Sequence, residues 1–170
     1  MVRRLLAALA SVVVVMSMAG PVRAEPPTKR QRQLAQLTPY VTPTEVSAPT
    51  RGPGGATCRV MHKGVGFTNG FNGKVSVLLV GNLRWCWVRG RVTGGEFWMN
   101  VRQCCGWRYQ GLVHQEDRGC FNGCKWVHRH RRGEFKFFIT WPGFEGTVHP
   151  WVTLSGDGFG RVREANAGGA

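Results

Sequence analysis

The chain is predicted to be all-β, an antiparallel β-sandwich or small barrel of about eight strands stapled by disulfides. Three observations lead there. Between Cys58 and Val162, apolar and polar residues alternate over short segments, the period of half-buried strands. Clusters of Gly and Asn punctuate those segments, and no run is long and amphipathic enough for a substantial helix. Six cysteines, an even number, follow an apparent export signal, the usual setting for a disulfide framework in a small secreted domain. Regular strand spacing suits a sandwich or a small barrel, and the sequence does not choose between them.

The first element is residues 1–24, "MVRRLLAALASVVVVMSMAGPVRA", with early arginines, an apolar run from Leu5 and small residues at a cleavage point after Ala24. This is the pattern of a signal peptide, its apolar core shorter than the roughly 20 residues a spanning helix needs. Secretion is therefore expected, with no transmembrane segment left after signal removal. Residues 25–57 are rich in Pro, Thr, Gln and Gly and read as a flexible linker. The β domain is placed at 58–162, large enough for one modest core. Its expected strands are "CRVMH", "KVSVLLV", "LRWCWVRGRV", "EFWMNVR", "WRYQGLV", "KWVHRHR", "EFKFFITW", "HPWVTLS" and "GRVRE". Turns are expected at "NGFNG", "GN", "TGG", "RRG", "PGFEG" and "GDG". Residues 163–170 read as a flexible small-residue tail.

Alternation assigns faces. In "LRWCWVRGRV", Trp85, Trp87, Arg89 and Arg91 share one face, and Cys86, Val88 and Val92 share the other. Taking the cysteine face as core turns the Trp and Arg set outward. In "EFWMNVR" the same logic buries Phe97, Met99 and Val101 and exposes Trp98, Asn100 and Arg102. A hairpin around Gly94-Gly95 then makes one Trp and Arg surface. The competing reading, slightly preferred, turns the tryptophans toward a second sheet with arginine stems over their rims.

The stretch "KWVHRHRRGEFKFF", residues 125–138, carries Trp126, His128, His130 and Arg132 on one face and Lys125, Val127, Arg129 and Arg131 on the other. Neither face is apolar enough to bury, so an edge strand protected by cations is expected, with polyanion contact as the functional reading. The next strand, alternating Phe135, Phe137, Ile139 and Trp141, is expected to be its buried neighbour. A metal on His128 and His130 needs a third ligand, from His62, His114 or His149, and no spacing points to one.

Cys58, Cys86, Cys104, Cys105, Cys120 and Cys124 are all assigned to disulfides. Adjacent Cys104 and Cys105 would point to opposite faces of a strand and so are expected to take different partners. Cys120 and Cys124 flank "FNG", whose Asn-Gly suits a tight turn, and can close a short loop. Their spacing does not form paired zinc knuckles, and no cofactor is expected.

Charge is the strongest functional signal. The formal net charge is +14; without Arg3, Arg4 and Arg23, 20 Lys and Arg remain against nine Asp and Glu, a net of +11. Such a surface attracts anions, and tryptophan can add stacking on sugars or bases. Polysaccharide hydrolysis calls for two placed carboxylates, and the few acids here suggest none; "HQED", residues 114–117, reads as a polar loop. No G-x-S-x-G or H-E-x-x-H occurs. The expected function is non-catalytic binding of an anionic polymer, whether cell wall, polysaccharide or nucleic acid. The expected binding residues are Trp85, Trp87, Arg89, Arg91, Trp98, Arg102, His128, Arg129, His130, Arg131 and Arg132. Two alternatives are an inhibitor or small toxin acting on a protein partner, and a basic nuclease using a His with Glu116 or Glu134. Oligomeric state leaves no mark in the sequence.

The motifs "LRWCWVRGRVT", "GWRYQG", "RGEFKF" and "HPWVTLSGDGFGRV" resemble a loose group of small secreted proteins of high-GC Gram-positive bacteria. The similarity covers roughly residues 75–162. It implies an exported β domain and brings no catalytic residues. Cys104, Cys105, Cys120 and Cys124 depart from the group's sparser pattern, so no pairing is carried over.

Overall fold

A computed structural model describes residues 26–138 and 146–169. Expectations for residues 1–24, the "PGFEG" turn, Ile139 and Trp141 lie outside the described residues. Two antiparallel sheets enclose the core. The first is built from β1 (Leu37–Val41), β2 (Glu45–Val46), β3 (Thr50–Arg51), β4 (Thr57–Asn69), β5 (Val75–Val88) and β6 (Arg91–Gln103). Its order is β1-β4-β5-β6, with β2 and β3 also paired to β4. The second contains β7 (Trp107–Gly119), β8 (Trp126–Phe137), β9 (Gly146–Val148), β10 (Trp151–Asp157) and β11 (Val162–Gly168), in the order β11-β10-β8-β7, with β9 on β8. Both sheets are open, which makes this a sandwich rather than a closed barrel.

The core forms where apolar positions of both sheets meet. Met61, Leu83, Trp85, Val92, Val127, Val152 and Leu154 make one cluster. Val65, Phe67, Val77, Leu79, Trp107, Phe135 and Phe137 make the other. Phe97, Met99 and Val101 of β6 pack on them as expected, while Trp98, Asn100 and Arg102 face out.

On β5 the tryptophans face the second sheet, the preferred of the two readings, and the outward assignment falls. Trp85 is fully buried, Trp87 is half-buried against the first cluster, and the Trp85 indole donates to the Asp157 carbonyl at 3.1 Å. Gly156 faces that indole so closely that a Cβ there would lie 2.5 Å away. The large apolar area of two indoles outweighs that of the cysteine face. Cys86 stays buried on the opposite side because the Gly52–Ala56 turn covers it and its disulfide partner Cys58.

The hairpin expected at Gly94-Gly95 lies elsewhere. β5 turns into β6 at Arg89-Gly90, with φ of 47° and 78°, the pair of left-handed residues that a tight two-residue hairpin uses. Gly94 and Gly95 lie within β6 opposite Cys86 and Trp85.

β8 is not an edge. It pairs with β7 along one side and with β10 and β9 along the other, and it runs unbroken through "RRG". "HQED" likewise belongs to β7, a true edge strand of that sheet, and is not a loop.

The region expected as a linker is partly structured. A short helix α1 (Lys29–Ala35) begins with a reciprocal capping box between Thr28 and Gln31. Leu34, Ala35 and Leu37 pack on the second core cluster, and the Leu34 carbonyl accepts from Trp107 Nε1 at 3.3 Å. The expected tail is β11, whose Ala165 and Ala167 pack on the core.

All six cysteines are bonded, as Cys58–Cys86, Cys104–Cys105 and Cys120–Cys124. The loop closed by Cys120 and Cys124 is the one expected. The adjacent pair, expected to bond elsewhere, bond each other because they lie in the β6–β7 turn, with Cys105 at φ 60°, where strand alternation does not apply. Three disulfides fit an oxidising compartment. No helix among the described residues is long and apolar enough to cross a membrane.

Candidate anion-binding cleft

Two hairpin turns meet at one end of the sandwich. Gly158, in the β10–β11 turn, sits against the Gly90 carbonyl of the β5–β6 turn so closely that any Cβ would overlap it. Its N–H donates to the Lys125 carbonyl at 2.9 Å. Asp157 builds the rest of that turn: its Oδ1 accepts from the Phe159 and Arg161 main-chain N–H groups, each at 2.9 Å, and its Oδ2 accepts from Arg161 Nε at 2.8 Å. Burial works against the Asp157 charge. The N–H donors of Arg161 and Phe159 outweigh it and hold the carboxyl below the usual carboxylate range.

The two turns and the start of β8 enclose a cleft of about 560 Å³ lined by Arg89, Gly90, Arg91, Lys125, Asp157, Phe159, Arg161 and Arg163. Five of those eight residues are cationic, and the lone acid is already paired. Arg91 is set by a bond from its Nη1 to the Gly123 carbonyl at 2.8 Å. Gly123 lies in the disulfide-closed Cys120–Cys124 loop, and that loop docks on Val92 through two main-chain bonds. Arg163 lies over the Trp126 ring at 5.3 Å. No hydrogen bond or ion pair engages the Arg89 or Lys125 side chain among the described residues.

The expected binding residues are scattered by this fold. Arg89 and Arg91 line the cleft. Trp85 and Trp87 belong to the core, and Trp98 is 37% exposed on the outer face of the first sheet, so the expected surface joining Trp85 and Trp87 to Arg89, Arg91 and Trp98 does not form among the described residues. Arg102 is also on that outer face, beside Lys74 and Cys104 at the opposite end of β6. Arg129 and Arg131 point between the sheets. Arg129 is 8% exposed, its guanidinium 4.5 Å from the Phe121 ring centroid, and Arg131 lies over Phe97 at 5.0 Å. Asp117 pairs with both, and the hydrogen bond from Arg131 lowers its pKa. These two arginines therefore act in packing, where β8 alternation reads them as surface cations.

His128, His130 and the exposed Arg132 share the outer face of the second sheet. His130 Nδ1 lies 2.7 Å from Thr153 Oγ1, its ring stacks on Trp151 at 5.9 Å, and the His114 ring meets it edge-on at 5.4 Å. Burial, and then the neighbouring His114, push the His130 pKa down, favouring neutral imidazole. Glu116 stands opposite His130 across β7 and β8. His128 Nδ1 is 3.5 Å from Glu164 Oε2. No group of three or more metal-binding side chains is placed to hold an ion among the described residues.

Lys125, Phe159, Arg161 and Arg163 join the cleft without having been singled out by sequence reasoning. The available signal was "GDGFGRVR": an Asp in a turn with arginines four and six residues later has both a carboxylate to organise the turn and cations to present from it. No protein-family model, curated protein or solved structure matches this chain.

Proposed function

We propose that the protein is a secreted, non-catalytic binder of anionic surface or wall polymers, and that it holds them in the basic cleft. The observation that carries this reading is the convergence of five cations from three separate chain segments on one concavity whose single acid is neutralised from within. A concave basic site concentrates field lines and draws in polyanions, and release of condensed counterions supplies the affinity. Secretion is supported by the signal-like residues 1–24 and by the three disulfides.

The test is co-sedimentation of the oxidised protein with purified Gram-positive cell walls, alongside retention on a polyphosphate resin, at low and high salt. Salt-sensitive binding that the triple variant Arg89→Ser, Arg91→Ser, Arg163→Ser loses supports the reading. Absence of binding on both matrices, or a triple variant that binds as well as the parent, sinks it.

One arrangement favours a second reading, a metal-independent ribonuclease. His130 is oriented by Thr153 and faces Glu116, with His114 beside it, so a base and an acid for phosphodiester chemistry stand within one patch. RNA incubated with the oxidised protein in excess chelator is then cut to cyclic-phosphate ends; RNA that stays intact removes this reading.

A further inference from the structure

Phe159 stands in the basic cleft and is 67% exposed, more than any other large hydrophobic side chain among the described residues. An isolated exposed Phe on a loose loop would carry no meaning. This one is fixed: its N–H is bound by Asp157, its ring touches the Gly90 position so closely that a Cβ there would lie 2.9 Å from the ring tip, and the Arg161 guanidinium lies 5.3 Å from its centroid. The two turns that hold it are themselves locked together through Gly158 and Gly90. A flat aromatic surface is thus presented in place, surrounded by cations.

From this geometry we propose that the cleft binds single-stranded nucleic acid, with one base stacked on Phe159 and the flanking phosphates held by Arg89, Arg91, Lys125 and Arg163. The proposal rests on the reading that the basic cleft takes an anionic polymer, and names single-stranded nucleic acid, in place of a wall component, as that polymer. Stacking platforms inside a basic groove are how proteins take single strands without sequence preference. A duplex keeps its bases within its own stack and has none to offer. Polyphosphate and polyol-phosphate wall polymers satisfy the arginines and leave the ring unused. Arg161, committed to Asp157 and placed by the ring, positions Phe159 and contributes charge at its edge.

The experiment uses the oxidised protein and four labelled probes compared by fluorescence anisotropy: an oligothymidylate of about 12 nucleotides, within the usual site size, its duplex, a polyphosphate of matched charge, and a sulfated polysaccharide. The expected order places the oligothymidylate first. Phe159→Ala should weaken oligothymidylate binding about tenfold, in line with the loss of one stacked base, and leave polyphosphate binding within about twofold. Phe159→Trp should restore the oligothymidylate affinity. If the duplex or the sulfated polysaccharide binds as tightly as the single strand, or Phe159→Ala weakens every probe alike, the single-strand inference falls while the anionic-polymer reading stands. If none of the probes binds, the single-strand inference falls, and co-sedimentation with cell walls decides the anionic-polymer reading separately.

Discussion

Asp157 shows how much one side chain organises at this end of the molecule. Its carboxylate is nearly buried and takes three N–H bonds from the turn it precedes, so the folded protein prefers it ionised. Its pKa is lowered on folding, and such a group stabilises the protein above its unfolded pKa, near 3.9, with that stabilisation lost as pH falls through the depressed folded value. Asp157→Asn should therefore destabilise the protein by about 2 kcal/mol at neutral pH, the scale of hydrogen bonds to a charged group. The gap between variant and parent should narrow as pH falls below the ordinary carboxylate range and through the depressed folded value. Urea unfolding at a series of pH values measures it, and a gap that persists undiminished in acid contradicts the assignment. Other residues were only half legible. Alternation correctly grouped Trp85 with Trp87 and Arg129 with Arg131, because strand periodicity needs nothing beyond the chain itself. It cannot say which face looks inward when both faces carry large or charged groups. That depended on partners distant in sequence: Gly156 opposite Trp85, and Phe97 and Phe121 beneath the two guanidinium groups.

Elements were legible where their signal was local. The "NGFNG" turn appears where expected, with Asn69 Oδ1 accepting from the N–H groups of Phe71 and Asn72, and Phe135 and Phe137 are buried by simple alternation. The Arg89-Gly90 turn was hidden because Arg is a rare occupant of a left-handed position, leaving "LRWCWVRGRV" looking like one strand. The start of β11 was legible in "GRVRE", but its continuation was hidden by composition, since "REANAGGA" has the small polar character of a tail. In the fold those small residues are what permits close packing: Ala165 and Ala167 lie against the core, and a Cβ on Gly168 would come within 2.9 Å of the Trp151 indole. Removing residues 163–170 should then uncover one side of β10, where Val152 and Leu154 are fully buried. The loss should be at least about 2 kcal/mol, as expected for a change that opens a core. Unfolding of the truncated and full chains in urea decides it, and equal midpoints would show that these residues contribute nothing to the fold.

At the scale of the whole molecule, composition raises the expectation of an anionic partner without saying where the charge would act. A net charge of +14 is a sum, and the fold divides it unevenly. Arg129 and Arg131 are consumed in packing between the sheets, Arg132 faces out from the middle of the second sheet opposite Trp151, and five cations that are far apart in sequence meet at the cleft. If binding is focused there, each cleft cation that engages a phosphate displaces counterions, and log K against log salt should fall with a slope of about −0.7 per phosphate on a single strand. Arg89→Ser should make that slope shallower by about 0.7, since its side chain has no hydrogen bond or ion pair with the described residues and is free for the ligand. Arg132→Ser removes the same formal charge from outside the cleft and should leave the slope unchanged while weakening affinity only slightly. Anisotropy titrations of both variants across a salt series separate a local site from a diffuse field. Equal slope changes for Arg89→Ser and Arg132→Ser would mean that the ligand senses the total charge, and that the cleft has no privileged place in binding.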